Sequence, residues 1–249
     1  MKERSDTVPT NKFINQPDDE SNLSAEWVQS KKPIRIRFWG DYAAFHRPEL
    51  SVERYSYDVM TPSAARGMIE SIYYHPGMSY YVRRIYVERP IRFANIRRNE
   101  VTKKILASDL YAAARGADKP IYINRREAIV QRAATVLRDV SYVVEANFTL
   151  VPGKMNPGDS EEKFYAIFCN RARRGRCFTQ PYFGCREFPA SFALVTEDSP
   201  PPQPIPESRD LGIMLYDMDY SDQQNIKPTF FHAEMVNGVV EVEGKEVLR

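Results

Sequence analysis

Residues 34–74, IRIRFWGDYAAFHRPELSVERYSYDVMTPSAARGMIESIYY, set a strand, a loop and a helix in immediate succession, and they restrict the fold more than any other stretch. Ile34, Ile36 and Phe38 alternate with Arg35 and Arg37, the period-two pattern of a strand with one buried and one basic face. Gly40 and Asp41 end it. Thr61 then reads as a helix N-cap, its hydroxyl free to accept an orphan backbone N–H, and Pro62 as the first helical residue, which has no N–H to lose. Ala64, Ala65, Met68, Ile69 and Ile72 recur at three- and four-residue spacing and form one apolar stripe. Tyr73 falls on the last turn at the edge of that stripe, where a tyrosine commonly packs its ring and keeps its hydroxyl wet.

Further along, Tyr80, Tyr81, Val82, Ile85, Tyr86 and Val87 have the composition of a second strand, continuing past Pro90 into Ile91, Phe93 and Ile96 with an edge or bulge at the proline. Residues 97–138 are too long for a structureless connection, and a short helix over Ser108–Arg115 with Gly116 as its stop is predicted within them. Residues 140–150 alternate cleanly as a strand, and Asp159 with Glu162 resembles a capping box opening a helix that Gly175 closes. Residues 182–195 supply another strand. The order strand, helix, strand, strand, helix, strand predicts an α+β, ferredoxin-like (RRM-like) domain, whose open sheet face meets single strands in RNA-recognition modules. The run SPPPQPIP at 199–206 is a polyproline linker, and the apolar segments after it, with an Asn237-Gly238 turn, predict a small C-terminal antiparallel β-sheet. The expected organisation is a mobile N-terminal arm over 1–30, a ferredoxin-like RNA-binding domain over 31–198 with a long basic insertion, and a proline linker with a small β domain over 199–249.

Charge points to the partner. Residues 1–30 carry net −3 and residues 196–249 net −7, so a total of +2 leaves +12 on the body between them. Such an excess binds polyanions by counterion release, with nucleic acid the first candidate. From Arg83 to Arg138 there are fourteen basic residues against five acidic ones, mostly arginines, whose planar fork suits phosphate and base edges. Arg97, Arg98, Arg132 and Arg138 are the candidate RNA contacts in this insertion. A second group, Arg173, Arg174, Arg176, Phe178, Tyr182 and Arg186, interleaves cations with aromatics, the mixture that neutralises phosphate and stacks bases. No apolar run approaches the roughly 20 residues of a membrane span, and a cytosolic protein is expected. Three cysteines at eight-residue intervals and three scattered histidines fit neither a disulfide framework nor a zinc site, so no metal or other cofactor is expected. Asp217, Asp219 and Asp222 lack the remaining ligands of a cation loop and read as structural.

Four blocks, VERYSYDVMTPSAARGMIESIYY, RPIRFANIRRNEV, RDVSYVVEA and GRCFTQPYFGCREFPASF, closely resemble the CRISPR-associated Cas five proteins of the type I-C system. The resemblance runs from about the first strand to the C-terminus. It implies a repeat-specific endoribonuclease that cuts precursor CRISPR RNA without metal and stays on the 5′ end of the guide in the surveillance complex, beside the large and backbone subunits, with target DNA a further candidate partner. Its alternative is a non-catalytic guide-binding subunit. The family uses a tyrosine at the end of the first helix and a lysine-histidine pair at the start of the second. Tyr73 matches the tyrosine and Lys163 the lysine, but Phe164 stands at the histidine. Either His75 or His46 substitutes, or Tyr73 and Lys163 suffice, or activity is reduced.

Overall fold

The computed structural model describes residues 32–50, 54–118, 121–222 and 224–249; the arm expected over 1–30 lies outside them. Strand β1 (Ile34–Ala43) buries Ile34, Ile36 and Phe38 on one side and turns Arg35 and Arg37 to the other, as the alternation requires. A two-residue strand β2 (Arg54–Tyr55) and helix α1 (Pro62–Ile72) follow. The α1 cap is the predicted one: the Thr61 hydroxyl accepts from the Ala64 N–H at 3.3 Å. The helix buries Ala65, Met68, Ile69 and Ile72 and stops at Tyr73, whose backbone is already extended.

The apolar segment over 80–96 forms two strands rather than one. Strand β3 (Met78–Val87) and strand β4 (Phe93–Val101) are separated at 88–92, and the bulge falls at Val82/Arg84, not at Pro90. Helix α2 (Ala107–Ala114) is the predicted short helix, stopped by Gly116 at φ 90°, and a single turn, α3 (Arg125–Ala128), precedes the longest element. That is strand β5 (Ile129–Leu150), 22 residues where the alternation marked only its second half. Its first half pairs with β4 to make a basic arm, and its second half lies between β1 and β3. Asp139, at φ 52°, marks the change between the halves; aspartate is among the few residues that tolerate this backbone.

Helix α4 (Glu161–Arg173) is capped by Ser160, which accepts from the Lys163 N–H, and not by Asp159. The segment over 182–195 is mostly an anchored loop, with only strand β6 (Ser191–Leu194) at its end. Strands β7 (Arg209–Asp219), β8 (Lys227–Val236) and β9 (Val239–Glu241) form the predicted C-terminal antiparallel sheet. They continue the main sheet, because β9 pairs with β3, giving the order β6-β1-β5-β3-β9-β8-β7. The core lies between this sheet and the buried faces of α1 and α4.

The sheet face away from the helices is occupied. The β3 bulge brings Arg83 and Arg84 to the same carboxylate as Arg35, the buried Glu145, at 3.6, 3.7 and 2.6 Å. Beside them Arg37 is bidentate to Glu88 at 2.9 Å and also donates to the carbonyl oxygens of Pro200 and Pro201, so the proline linker runs across this face. The face that an RNA-recognition module leaves open is here taken up by these ion pairs.

Candidate active site

The end of α1 and the start of α4 meet in the core, and the chemistry-bearing side chains collect there. Phe164 is fully buried, with its ring centroid 4.8 Å from the His75 ring and 6.5 Å from the Tyr73 ring. Lys163, the preceding residue, points outward and donates to Asp159 Oδ1 at 2.8 Å. The Asp159 side chain is only 3% exposed; its Oδ2 accepts from the Asn156 N–H at 2.8 Å and lies 3.6 Å from His75 Nε2. Tyr73 and His75 therefore pack on one phenyl ring, and Lys163 is tied to this corner through Asp159. Asp159, which the sequence pattern marks as a helix cap, joins Lys163 to His75. Both Asp159 and Ser160 are good capping residues, and only the fold decides which hydroxyl or carboxylate is used.

The states of these groups follow from their contacts. Hydrogen bonds from Lys163 and from the Asn156 backbone hold the Asp159 carboxyl below its ordinary value. Partial burial, and after it the Asp159 charge, push the Tyr73 phenol upward, so Tyr73 carries its proton at neutral pH and can donate it. His75 Nδ1 accepts the Gly77 N–H at 3.0 Å, so the neutral ring carries its proton on Nε2, the nitrogen 3.6 Å from Asp159 Oδ2. With the Nδ1 lone pair taken by Gly77 and the proton on Nε2, neutral His75 offers no free lone pair to a substrate. His46 is elsewhere: it bridges to Ser56, and its Nδ1 is 4.0 Å from Cys185 Sγ. Burial, then Arg54, lowers its pKa.

Tyr73 also forms the lip of a groove of ≈ 880 Å³ along α1, lined in addition by Tyr74, Arg171, Phe178, Tyr182 and Arg186. The Arg171 guanidinium lies 6.0 Å from the Tyr73 ring centroid. The loop over 176–190 builds the opposite wall, held by Phe178 and Thr179 N–H groups donating to the Ser71 carbonyl and by the buried Phe183 and Phe188. Gly184 is obligatory in that loop, since φ is 76° and a Cβ there would sit 2.0 Å from the Ala44 carbonyl oxygen. The anchoring leaves Phe178 80% exposed above the groove. Arg66, unremarked in the sequence, closes the far side with a bidentate bond to Asp217 at 2.8 Å, which gives the YDMDYSD segment its structural role.

The remaining predicted contacts are dispersed. Arg173, Arg174 and Arg176 are exposed at the C-terminal end of α4. Arg97, Arg98 and Arg132 are on the β4–β5 arm, where Arg98 and Arg132 face each other across the ladder. Arg98 is bound to Glu187 and Arg132 to Glu100, while Arg97 is exposed on the other side of the arm. Arg138 is exposed beside the Asp139 kink. Among the described residues no cluster of His, Cys, Asp and Glu could hold a metal ion, and no helix is long and apolar enough to cross a membrane.

A family of CRISPR-associated proteins, Cas_Cas5, matches residues 34–243 through its Cas5d model. A protein of Mannheimia succiniciproducens named CRISPR pre-crRNA endoribonuclease Cas5d is 45% identical over 214 residues, 84% of this chain and 94% of that protein. A protein of the same name from Thermus thermophilus is 36% identical over 233 residues, covering 86% and 92%. The crystal structure of a CRISPR-associated protein superposes over 90% of this chain and 99% of its own, with a TM-score of 0.62 at 21% identity. The chain belongs to the CRISPR-associated Cas5 proteins, and within them to the Cas5d family.

Proposed function

We propose that this chain is a metal-independent endoribonuclease that cuts precursor CRISPR RNA within the repeat and remains on the 5′ end of the guide, in a surveillance complex with large and backbone subunits. The observation that carries the reading is Tyr73 on the lip of an aromatic and cationic groove, packed on the same Phe164 ring as His75, whose neighbour Asp159 holds Lys163. The order β6-β1-β5-β3, with α1 and α4 as crossovers, supports a ferredoxin-like core over 31–198, the RNA-binding body, with 199–249 as linker and C-terminal sheet.

In the proposed reaction the 2′-hydroxyl before the cut attacks the adjacent phosphorus. The P–O2′ bond forms as the P–O5′ bond breaks, leaving a 2′,3′-cyclic phosphate and a 5′-hydroxyl. The Lys163 ammonium, 47% exposed and aimed by Asp159, meets the negative charge that develops on the phosphoryl oxygens. Tyr73, a neutral phenol, protonates the departing O5′ and recovers its proton from solvent. The O2′ proton passes to water, because the one lone pair of the neutral His75 ring, on Nδ1, is taken by the Gly77 N–H. His75 is thus a positioning residue, through the turn over 75–77 and Asp159.

Purified protein incubated with a labelled repeat RNA in EDTA tests this reading. Cleavage that disappears when the nucleotide before the cut is 2′-deoxy supports it. Cleavage of the deoxy substrate, or a requirement for metal, overturns the mechanism. Binding without cleavage of any repeat leaves the guide-binding subunit as the function.

A further inference from the structure

Among the described residues, three guanidiniums and two carboxylates line the groove along α1, and they do not cancel. Glu70 and Asp217 are both held by Arg66, at 2.7 and 2.8 Å, so neither carboxylate is free for a second cation. Arg171 and Arg186 are left over. Arg186 is exposed, and water satisfies it. Arg171, in the last turn of α4, is half-buried, and its Nε is shut off from solvent with no acceptor. Its Nη nitrogens, the end that keeps contact with solvent, have no ion-pair partner among the described residues. A cation partly withdrawn from water without a counter-ion costs stability, of which the Tyr73 ring, its centroid 6.0 Å away, returns only a part. The dipole of α4 favours a cation at this end, but the exposed Arg173 in the same turn already supplies one.

We propose that Arg171 binds a backbone phosphate of the RNA, at a linkage neighbouring the one that is cut, and so fixes which bond of the repeat comes to Tyr73; the assignment rests on the cleavage reading above. The uncompensated charge selects an anion over a neutral group. A guanidinium with both Nη groups free presents the planar fork that fits two phosphate oxygens. The place of that phosphate follows from Tyr73. Phe164 and Arg171 fall two turns apart on one face of α4, about 10 Å along its axis, and the Tyr73 ring lies beside both, at 6.5 Å from the Phe164 centroid and 6.0 Å from the guanidinium. A strand laid in the groove with its reacting phosphate at Tyr73 therefore passes Arg171 as it leaves. Because the phosphate on Arg171 does not react, the contact is equally strong before and during the cleavage step. It contributes to binding and to the register of the strand, not to stabilising the charge that develops. Arg171 is in this sense a positioning residue.

The test uses the full chain and a repeat RNA with a 2′-deoxy nucleotide before the cut, so that binding is read without cleavage, in a series carrying one uncharged methylphosphonate at each linkage around that bond. The expected result is one linkage, other than the scissile one, at which the methylphosphonate weakens wild-type binding roughly tenfold and adds no loss in Arg171→Ala, which itself binds the fully charged RNA roughly tenfold less tightly. On all-ribose RNA at saturating protein, Arg171→Ala should cut within about threefold of the wild-type rate but spread its cuts over more than one bond. Arg171→Lys, which keeps the charge without the fork, should fall between the two, and it carries the test if Arg171→Ala melts early. A methylphosphonate effect of equal size in wild type and both variants, or no sensitive linkage besides the scissile one, overturns the proposal. Coupling with an unmoved, single cut overturns the role in register. Coupling without any cleavage by the wild type retains the phosphate contact and removes the nuclease reading, whereas cleavage without coupling does the reverse.

Discussion

Lys163 and Phe164 are adjacent in sequence and opposite in fate: one faces solvent on the lip of the site, the other fills the core beneath it. A lysine whose only role is to meet charge in the transition state contributes little to holding the substrate. Lys163→Ala is therefore expected to lower the single-turnover cleavage rate roughly 10²- to 10³-fold while changing the RNA Kd by less than about threefold. Tyr73→Phe should approach the same loss. His75→Ala, which removes a positioning contact and no proton carrier, should lose less than either, and the slope of log rate against pH should be unaltered by it. A loss for His75→Ala equal to that of Lys163→Ala, together with a vanished pH limb, would return the proton shuttle to His75. Phe164→His is expected to fail as a gain of function. The phenyl is fully buried, so an imidazole there must bury polar nitrogens, at about 1–3 kcal/mol of stability visible in thermal melts, without a measurable rise in rate.

At the scale of elements, what could be read in advance depended on whether a segment's neighbours are local. The α1 cap and stripe, the short α2 with its glycine stop, and the second half of β5 were legible because a cap, a 3.6-residue period and a two-residue period are written within a few residues. The first half of β5 was not, since one face of IVQRAATVLR is held by the ion pair of Arg132 with Glu100 of β4, which Arg54 of β2 shares, rather than by apolar alternation. The groove was invisible as a unit because its residues come from α1, the 176–190 loop and β7. The occupied sheet face yields a prediction of its own. Burial raises the Glu88 carboxyl, but the Arg37 guanidinium, the Ser141 hydroxyl and the Gln203 N–H together outweigh it and hold it below the usual value near 4.5. A carboxyl depressed in the folded state stabilises fully above that value and ceases to do so as pH falls through the folded one. Glu88→Gln should thus cost about 1–3 kcal/mol near neutral pH, and the difference in Tm from wild type should narrow as the pH is taken down through the depressed Glu88 pKa.

Across the whole molecule, the basic excess on the body divides in two, part engaged with internal carboxylates and part left on the surface. Arg98 and Arg132 are already bound to Glu187 and Glu100, whereas Arg97 has no ion-pair partner among the described residues. Replacing all three by alanine should weaken RNA binding and flatten the dependence of log Kd on log salt. Arg97→Ala alone should account for most of the change in slope, about 0.7–0.9 for each phosphate that is no longer neutralised. Equal slopes for the triple variant and wild type would mark the arm as a solvated surface. The pairing of β9 with β3 has a consequence in time. During synthesis the outer edge of β3, Arg84–Tyr86, is made early, while the strand that covers it, Val239–Glu241, leaves the ribosome more than 150 residues later. Over that interval the nascent chain carries an unpaired strand edge, the geometry that templates association between chains. Three residues near the end of the sequence act in this sense as a clasp against aggregation, and the yield of soluble protein, more than its final stability, is the quantity their loss would reduce.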